Sequence, residues 1–148
     1  MSVMTHIAPP VLWLCSYSHI ITRVVVNGDS TQLCRLADIL LDNAMKYSYP
    51  NTTVTVSLKK HRDYCIFSVS SHGDTISRSD LKNIFKRFYR VDKTRSRETG
   101  GSGLGLAIVK NIILMHKGTI KLFSRVEEGS MFTVKIPLSF IVDQTFTE

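Results

Sequence analysis

The sequence predicts an α/β fold, a two-layer sandwich with a mixed sheet and helices on one face. Three observations point there. Apolar residues alternate with polar ones in short runs near residues 54–58, 65–69, 119–125 and 130–138, the period of half-buried strands. Two longer segments repeat apolar residues at three- and four-residue steps, the period of amphipathic helices. The elements follow in the order β-α-β-β-α-α-β-β, which suits helices laid on one face of a sheet.

Taken in order, residues 20–26 (Ile20 to Val26) read as a strand, and Asn27-Gly28-Asp29 as a turn handing over to a helix. Asp29 with Gln32 resembles a capping box. Leu33, Leu36, Ala37, Leu40, Leu41, Ala44 and Tyr47 mark a helix ending before Tyr49-Pro50. Val54, Val56 and Leu58, then Cys65, Phe67 and Val69, form two strands paired around Lys59 to Asp63. Ser77 with Asp80 starts a further helix leading into Leu81, Ile84, Phe85 and Phe88. A long helix runs from Leu104 to His116, with Lys117-Gly118 as its basic last turn and glycine stop. Thr119 to Arg125 and Ser130 to Leu138 are the last strands, joined around Glu128-Gly129.

A chain of 148 residues is about one domain and buries roughly two-thirds of its unfolded surface. The domain is expected over residues 20–140. Residues 1–19 read as an extension, foreign to the domain or poorly ordered, or else as a strand or partner-docking segment, and 141–148 as a tail. The apolar patch Val11 to Cys15 lacks the length and charged start of a secretion signal. No apolar run approaches the ~20 residues that cross a bilayer. Three widely spaced cysteines, Cys15, Cys34 and Cys65, fit free thiols in a reducing compartment, so a cytoplasmic location is expected.

The net charge of +7 suggests an anionic partner: a nucleotide, a nucleic acid or a membrane. Much of it precedes a glycine cluster. Lys82, Lys86, Arg87, Arg90, Lys93, Arg95 and Arg97 oppose only Asp92 and Glu98 before Gly100-Gly101-Ser102-Gly103-Leu104-Gly105. Glycines that run into a helix start expose backbone N–H groups to an anion, where the helix dipole adds positive potential. The basic run alone also reads as a solvated loop. Neither familiar phosphate loop is matched, since no Gly-Lys-Ser/Thr follows and no predicted strand precedes.

On the first long helix Ile39, Asn43 and Lys46 share a face away from the core stripe. An amide oxygen suits Mg²⁺, which takes few protein oxygens plus waters and phosphates, and Lys46 would meet a phosphate as a point charge. The alternative is an exposed Asn43 and a Lys46 paired with Asp42 at i+4.

Three segments carry a resemblance. Leu40-Leu41-Asp42-Asn43-Ala44-Met45-Lys46-Tyr47-Ser48, Ile84-Phe85-Lys86-Arg87-Phe88-Tyr89-Arg90-Val91-Asp92, and Gly101-Ser102-Gly103-Leu104-Gly105-Leu106-Ala107-Ile108-Val109 are similar to the asparagine, phenylalanine and second glycine boxes of the ATP-binding domain of bacterial sensor histidine kinases. The similarity covers about residues 20–138 and implies the Bergerat sandwich shared with gyrase B, a heat-shock chaperone and a mismatch-repair protein. It implies that Asn43 binds Mg²⁺, that Lys46 and Tyr47 contact the nucleotide phosphates, and that Gly101, Gly103 and Gly105 hinge and cradle. Arg87, Ser102 and Leu104 join the ATP site, and Lys86 to Ser102 becomes a mobile ATP lid. Phe85 and Phe88 would be its packing base, or ordinary core aromatics.

The sequence departs from the family pattern at two positions. Where the first glycine box usually has Asp-x-Gly-x-Gly, its Asp recognising the adenine amino group, this chain has Ser71-His72-Gly73-Asp74-Thr75-Ile76. The base site would then use Ser71, Gly73 and Ile76, with a hydroxyl lacking the charge assistance of a carboxylate. Ile39 stands one turn before Asn43, where the family commonly has Asn and ATP-hydrolysing relatives Glu, so no general base is visible and little ATPase activity is expected. The resemblance implies a kinase catalytic domain in two-component signalling. It would present the γ-phosphate of Mg-ATP, with Asn43 and Lys46 in the catalytic role, to a His on a separate dimerisation hairpin. His6 and His19 lack an acceptor's helical context. A response regulator acts downstream, and the isolated domain is expected to be a monomer, without direct membrane contact. The alternatives are a nucleotide-binding or interaction module of this fold without kinase activity, and a basic nucleic-acid-binding domain.

Overall fold

The computed structural model describes residues 14–20, 24–91 and 101–138, the first of these segments by its backbone alone. Five strands form one sheet in the order β1-β2-β3-β5-β4: β1 (Leu14–Ile20), β2 (Thr53–His61), β3 (Tyr64–Ser71), β4 (Thr119–Arg125) and β5 (Gly129–Pro137). Helix α1 (Ser30–Tyr47) joins β1 to its parallel neighbour β2, and the other pairings are antiparallel. The short α2 (Arg78–Leu81) and the long α3 (Gly105–Met115) lie between β3 and β4. The mixed sheet with helices on one face is the predicted sandwich.

The first strand lies earlier than the sequence suggested. The β-branched run Ile20–Val26 and the segment before it are both strand-like, and pairing with β2 selects 14–20. Residues 24–26 are unpaired, with Val25 69% exposed. The expected domain boundary after residue 19 therefore cuts through β1. Residues 1–13, 21–23, 92–100 and 139–148 lie outside the described residues, and with them most of the expected lid and the 141–148 tail.

Helix α1 starts as its sequence dictates. The Asp29 side chain accepts the Gln32 N–H at 3.0 Å, satisfying one of the unpaired donors of the first turn. Leu36, Leu40 and Ala44 are buried at helical spacing, whereas Tyr47, the last member of the predicted stripe, is 55% exposed. From α3 come Ala107, Val109, Ile112 and Ile113, and from the sheet Val54, Val69, Phe132, Val134 and Ile136. Each large aliphatic side chain so buried stabilises the fold by about 1.5–3 kcal/mol. The opposite face of the sheet is solvated: Lys121, Met131 and Lys135 are exposed, and the Lys135 ammonium sits 3.9 Å over the Tyr64 ring. The β2–β3 hairpin is tighter than predicted, with only Arg62 and Asp63 between the strands. Cys65 is buried and Cys34 exposed, both as free thiols. Burial pushes the Cys65 thiol above its ordinary pKa.

Helix α3 ends on an unforeseen residue. Lys117 takes the left-handed conformation, φ 53°, while its N–H donates to Leu114 O at 3.0 Å and the Gly118 N–H to Ile113 O at 2.9 Å. These are the paired bonds of a Schellman stop. The glycine is needed one place later, where a Cβ at Gly118 would lie 2.6 Å from Lys135 O. Behind it His116, 3% exposed, holds Ile112 O through Nδ1 at 2.7 Å and accepts the Asp29 N–H on Nε2 at 3.1 Å. An accepting Nε2 leaves the proton on Nδ1. Gly28 makes room for the ring, since a Cβ there would stand 2.5 Å from His116 Cδ2.

Candidate functional site

The second half of α1 runs between two contacts, one with the start of α3 and one with the loop after β3. At residue 39, Ile39 touches the start of α3: a Cβ at Gly105 would be 3.1 Å from Ile39 Cγ2. At residue 48, the helix end meets the loop after β3 through an isolated Ser48–Gly73 bridge. Nine residues of α-helix separate these contacts by about 13 Å. Asn43, half-buried, and Lys46 lie between them. Lys46 Nζ is 2.8 Å from Asp42 Oδ2, an exposed pair of the kind worth at most about 1 kcal/mol. The i+4 pairing read from the sequence is thus present, and it leaves the ammonium on the helix face that carries Asn43.

At one end stands the start of α3. Its N-cap, Leu104, makes no side-chain capping bond, so no side chain of the cap competes for the donors of the first turn, which carry the positive end of the helix dipole. Gly103 takes φ 72°, and a Cβ there would stand 2.9 Å from Phe88 Cα. Phe88 donates its N–H to Gly103 O at 2.9 Å. Gly101 lies beside the Arg90 guanidinium, a Cβ being placed 3.5 Å from its nearest nitrogen. Ser102 and Arg87 are exposed and Leu104 half-buried.

Phe85 and Phe88 differ. Phe85 packs against the core, which suits either of its expected roles. Phe88 is 72% exposed with φ 62°, because its backbone is turned over to pair with Gly103, so it is neither packing base nor core aromatic. The third aromatic of this segment fastens it instead: the Tyr89 hydroxyl donates to the Asp80 carboxylate, which also takes the Ser77 hydroxyl at 2.5 Å. Ser77 caps α2 by accepting the Asp80 N–H at 3.1 Å. The Ser77 hydroxyl, followed by that of Tyr89, holds the Asp80 carboxyl below its usual pKa, and the same carboxylate raises Tyr89. The predicted helix through Phe88 is only this one capped turn, followed by hydrogen-bonded turns.

At the other end stands the loop Ser71 to Ile76. Gly73 is required by contact, because a Cβ there would lie 2.0 Å from Tyr47 O, and the Tyr49 N–H donates to His72 O at 2.7 Å. Asp74 receives the Tyr49 hydroxyl at 2.7 Å. Ile76 packs against the core and donates its N–H to Ser124 Oγ at 3.0 Å. The structure therefore brings Gly105 against Ile39 and the 71–76 loop against Tyr47 and Ser48, with Asn43 and Lys46 on α1 between these contacts, while Gly101 and Gly103 pack on Arg90 and Phe88. Arg90, Ser124 and Ser130 were not singled out as site residues by the sequence; Arg90 had a signal in its place within the basic run, and the serines had none.

Among the described residues no helix is long and apolar enough to cross a membrane, and no cluster of three His, Cys, Asp or Glu could hold a metal ion.

The family model for histidine kinase-, DNA gyrase B- and HSP90-like ATPases matches residues 28–139. The chain is 44% identical over 112 residues to the sensor-like histidine kinase SenX3 of Mycolicibacterium smegmatis, covering 76% of this chain and 29% of that protein. It thus spans under a third of that relative. Among solved structures, the mycobacterial sensor histidine kinase MprB aligns with TM-score 0.68 and 28% identity over 84% of this chain and 80% of that one. The catalytic domain of histidine kinase ThkA aligns with TM-score 0.72 over 85% and 78%; at 24% identity it speaks for the fold alone. With the predicted sandwich in agreement with these likenesses, the chain belongs to the histidine kinase-, gyrase B- and HSP90-like ATPase family, as an ATP-binding catalytic domain of the sensor histidine kinase type.

Proposed function

We propose that this domain binds Mg-ATP along α1 and presents the γ-phosphate to a histidine on a dimerisation hairpin of its parent kinase, in the cytoplasmic part of a two-component system. A response regulator would take the phosphoryl group afterwards, and the domain alone would be monomeric. The observation that carries the reading is the placement of Asn43 and Lys46 between the uncapped start of α3 and the Ser71–Ile76 loop.

In this reading the base lies against Ser71, Gly73 and Ile76. The phosphates run past Tyr47 and Lys46 to the N–H groups of Gly103, Leu104 and Gly105, with Gly101, Ser102 and Arg87 at the lid side. Lys46 exchanges Asp42 for a phosphate, at small cost because the pair is exposed. The donor set fits Mg²⁺: one neutral amide oxygen, from Asn43, and no carboxylate cluster among the described residues suit an ion that completes its shell with phosphate oxygens and water. When bound, the ion neutralises phosphate charge. Transfer of a phosphoryl group rests on positioning and charge stabilisation, which Asn43, Lys46 and the helix start supply. Ile39 offers no base to activate water, so the bound nucleotide is kept for transfer rather than hydrolysis.

Calorimetric titration with a non-hydrolysable ATP analogue, with and without Mg²⁺, tests the site. Mg²⁺-assisted binding that Asn43→Ala abolishes is expected. Mg²⁺-independent binding, or an unaffected variant, would remove Asn43 from the metal role. Labelled phosphate appearing on a supplied acceptor hairpin tests transfer separately.

A further inference from the structure

The inner face of the sheet is apolar along the strands that meet the helices, except at one end. There Ser71 on β3 stands opposite Ser130 on β5, and Ser130 opposite Ser124 on β4. Side chains alternate along a strand, so Ser71 shares the face of Val69, Ser130 that of Phe132 and Val134, and Ser124 that of Leu122. The Ser124 and Ser130 hydroxyls are 2.8 Å apart, with either able to donate, and Ser124 Oγ also takes the Ile76 N–H at 3.0 Å. All three serines are half-buried. A row of hydroxyls closing an apolar surface is what fixes the edge of a flat heterocycle laid on that surface.

We infer that this row sets the nucleobase specificity, and that the site accepts 6-amino- and 6-oxopurine triphosphates alike. The inference rests on the nucleotide reading above. A carboxylate at position 71 would offer acceptors only, matching an exocyclic amino group and opposing a carbonyl oxygen. A hydroxyl offers one donor and two acceptors about a rotatable bond. The row carries no formal charge, and neither direction of the Ser124–Ser130 bond is imposed by their partners, so it can present a donor to a 6-oxo group as readily as an acceptor to a 6-amino group. Sites discriminate sharply when a mismatch strands a buried polar group, and here the hydroxyl turns to suit either ligand.

The test compares ATP with inosine triphosphate, whose base differs in carrying a carbonyl at position 6 and a proton on N1, by competition against a fluorescent nucleotide. The unaltered protein is expected to bind the two within about threefold of one another, the spread of a single adaptable hydrogen bond. Ser71→Asp should bind ATP more than about tenfold in preference, because a carboxylate facing a carbonyl is left unpaired. A native preference for ATP above about tenfold, or a Ser71→Asp protein that remains indifferent, would overturn the inference while leaving nucleotide binding intact. Failure of both nucleotides to bind the native protein would overturn both readings. The native ratio requires no variant to fold.

Discussion

His116 Nε2 accepts the backbone N–H of Asp29 across 87 positions of sequence, so the last turn of α3 is tied to the cap of α1. The same ring occupies the space over Gly28. His116→Ala should cost about 2–4 kcal/mol, from the orphaned N–H and the cavity left behind. Gly28→Ala should also destabilise, yet much less in the His116→Ala background, where its Cβ has room. A double-mutant cycle in urea reads this coupling; additive losses would refute the steric link.

Lys117 and Gly118 predict opposite signs at adjacent positions. Lys117→Gly relieves a left-handed side-chain-bearing residue and should stabilise by about 0.5–1 kcal/mol. Gly118→Ala drives a methyl group toward a backbone carbonyl 2.6 Å away and should destabilise. Thermal melting of the two proteins gives the comparison.

The Ser77–Asp80–Tyr89 cluster predicts a pH profile. Asp80 is lowered in the fold, so its contribution is present above the ordinary carboxylate pKa of about 4 and is lost as pH falls through the lower native value. Tyr89 is raised, so its contribution is present below the ordinary phenol pKa of about 10 and is lost as pH rises through the higher native value. The stability gap between the native protein and Tyr89→Phe should be flat at neutral pH and narrow at both extremes. A gap that does not change with pH would refute the assignment.

Asp42 holds Lys46 at 2.8 Å before any phosphate arrives. Asp42→Ala should therefore tighten ATP-analogue binding about twofold to fivefold, the scale of an exposed ion pair, and Lys46→Ala should weaken it. Titrations at two salt concentrations check both, and the Asp42→Ala gain should shrink as salt screens the pair.

The legible parts of the fold were those that local pattern specifies. Helix α1 followed from its apolar period and the Asp29 cap, β4 from alternation alone, and the β2–β3 pairing from two alternating runs flanking a polar turn. Strand β1 was displaced because two adjacent apolar runs share the same propensity, and only register against β2 chooses between them. The exposure of Phe88 depends on its backbone partner Gly103, and the need for glycine at 118 on the approach of β5. Both are tertiary facts without a local signature. In the proposed site, the shared face of Asn43 and Lys46 follows from helical phase, whereas the serine row joins three strands and exists only in the register of the sheet.

That register has a thermodynamic consequence. Ser71 belongs to the β2–β3 hairpin, and Ser130 and Ser124 to the β4–β5 hairpin, so neither hairpin alone carries the row. The two meet along the β3–β5 ladder, the junction between distant segments whose closure costs the most chain entropy. A purine seated on the row would act as a clasp across that ladder, and its binding energy would add to the resistance of the hairpins against parting. Hydrogen exchange along β3 and β5 would then slow with nucleotide concentration, while exchange in the Arg62–Asp63 turn would not.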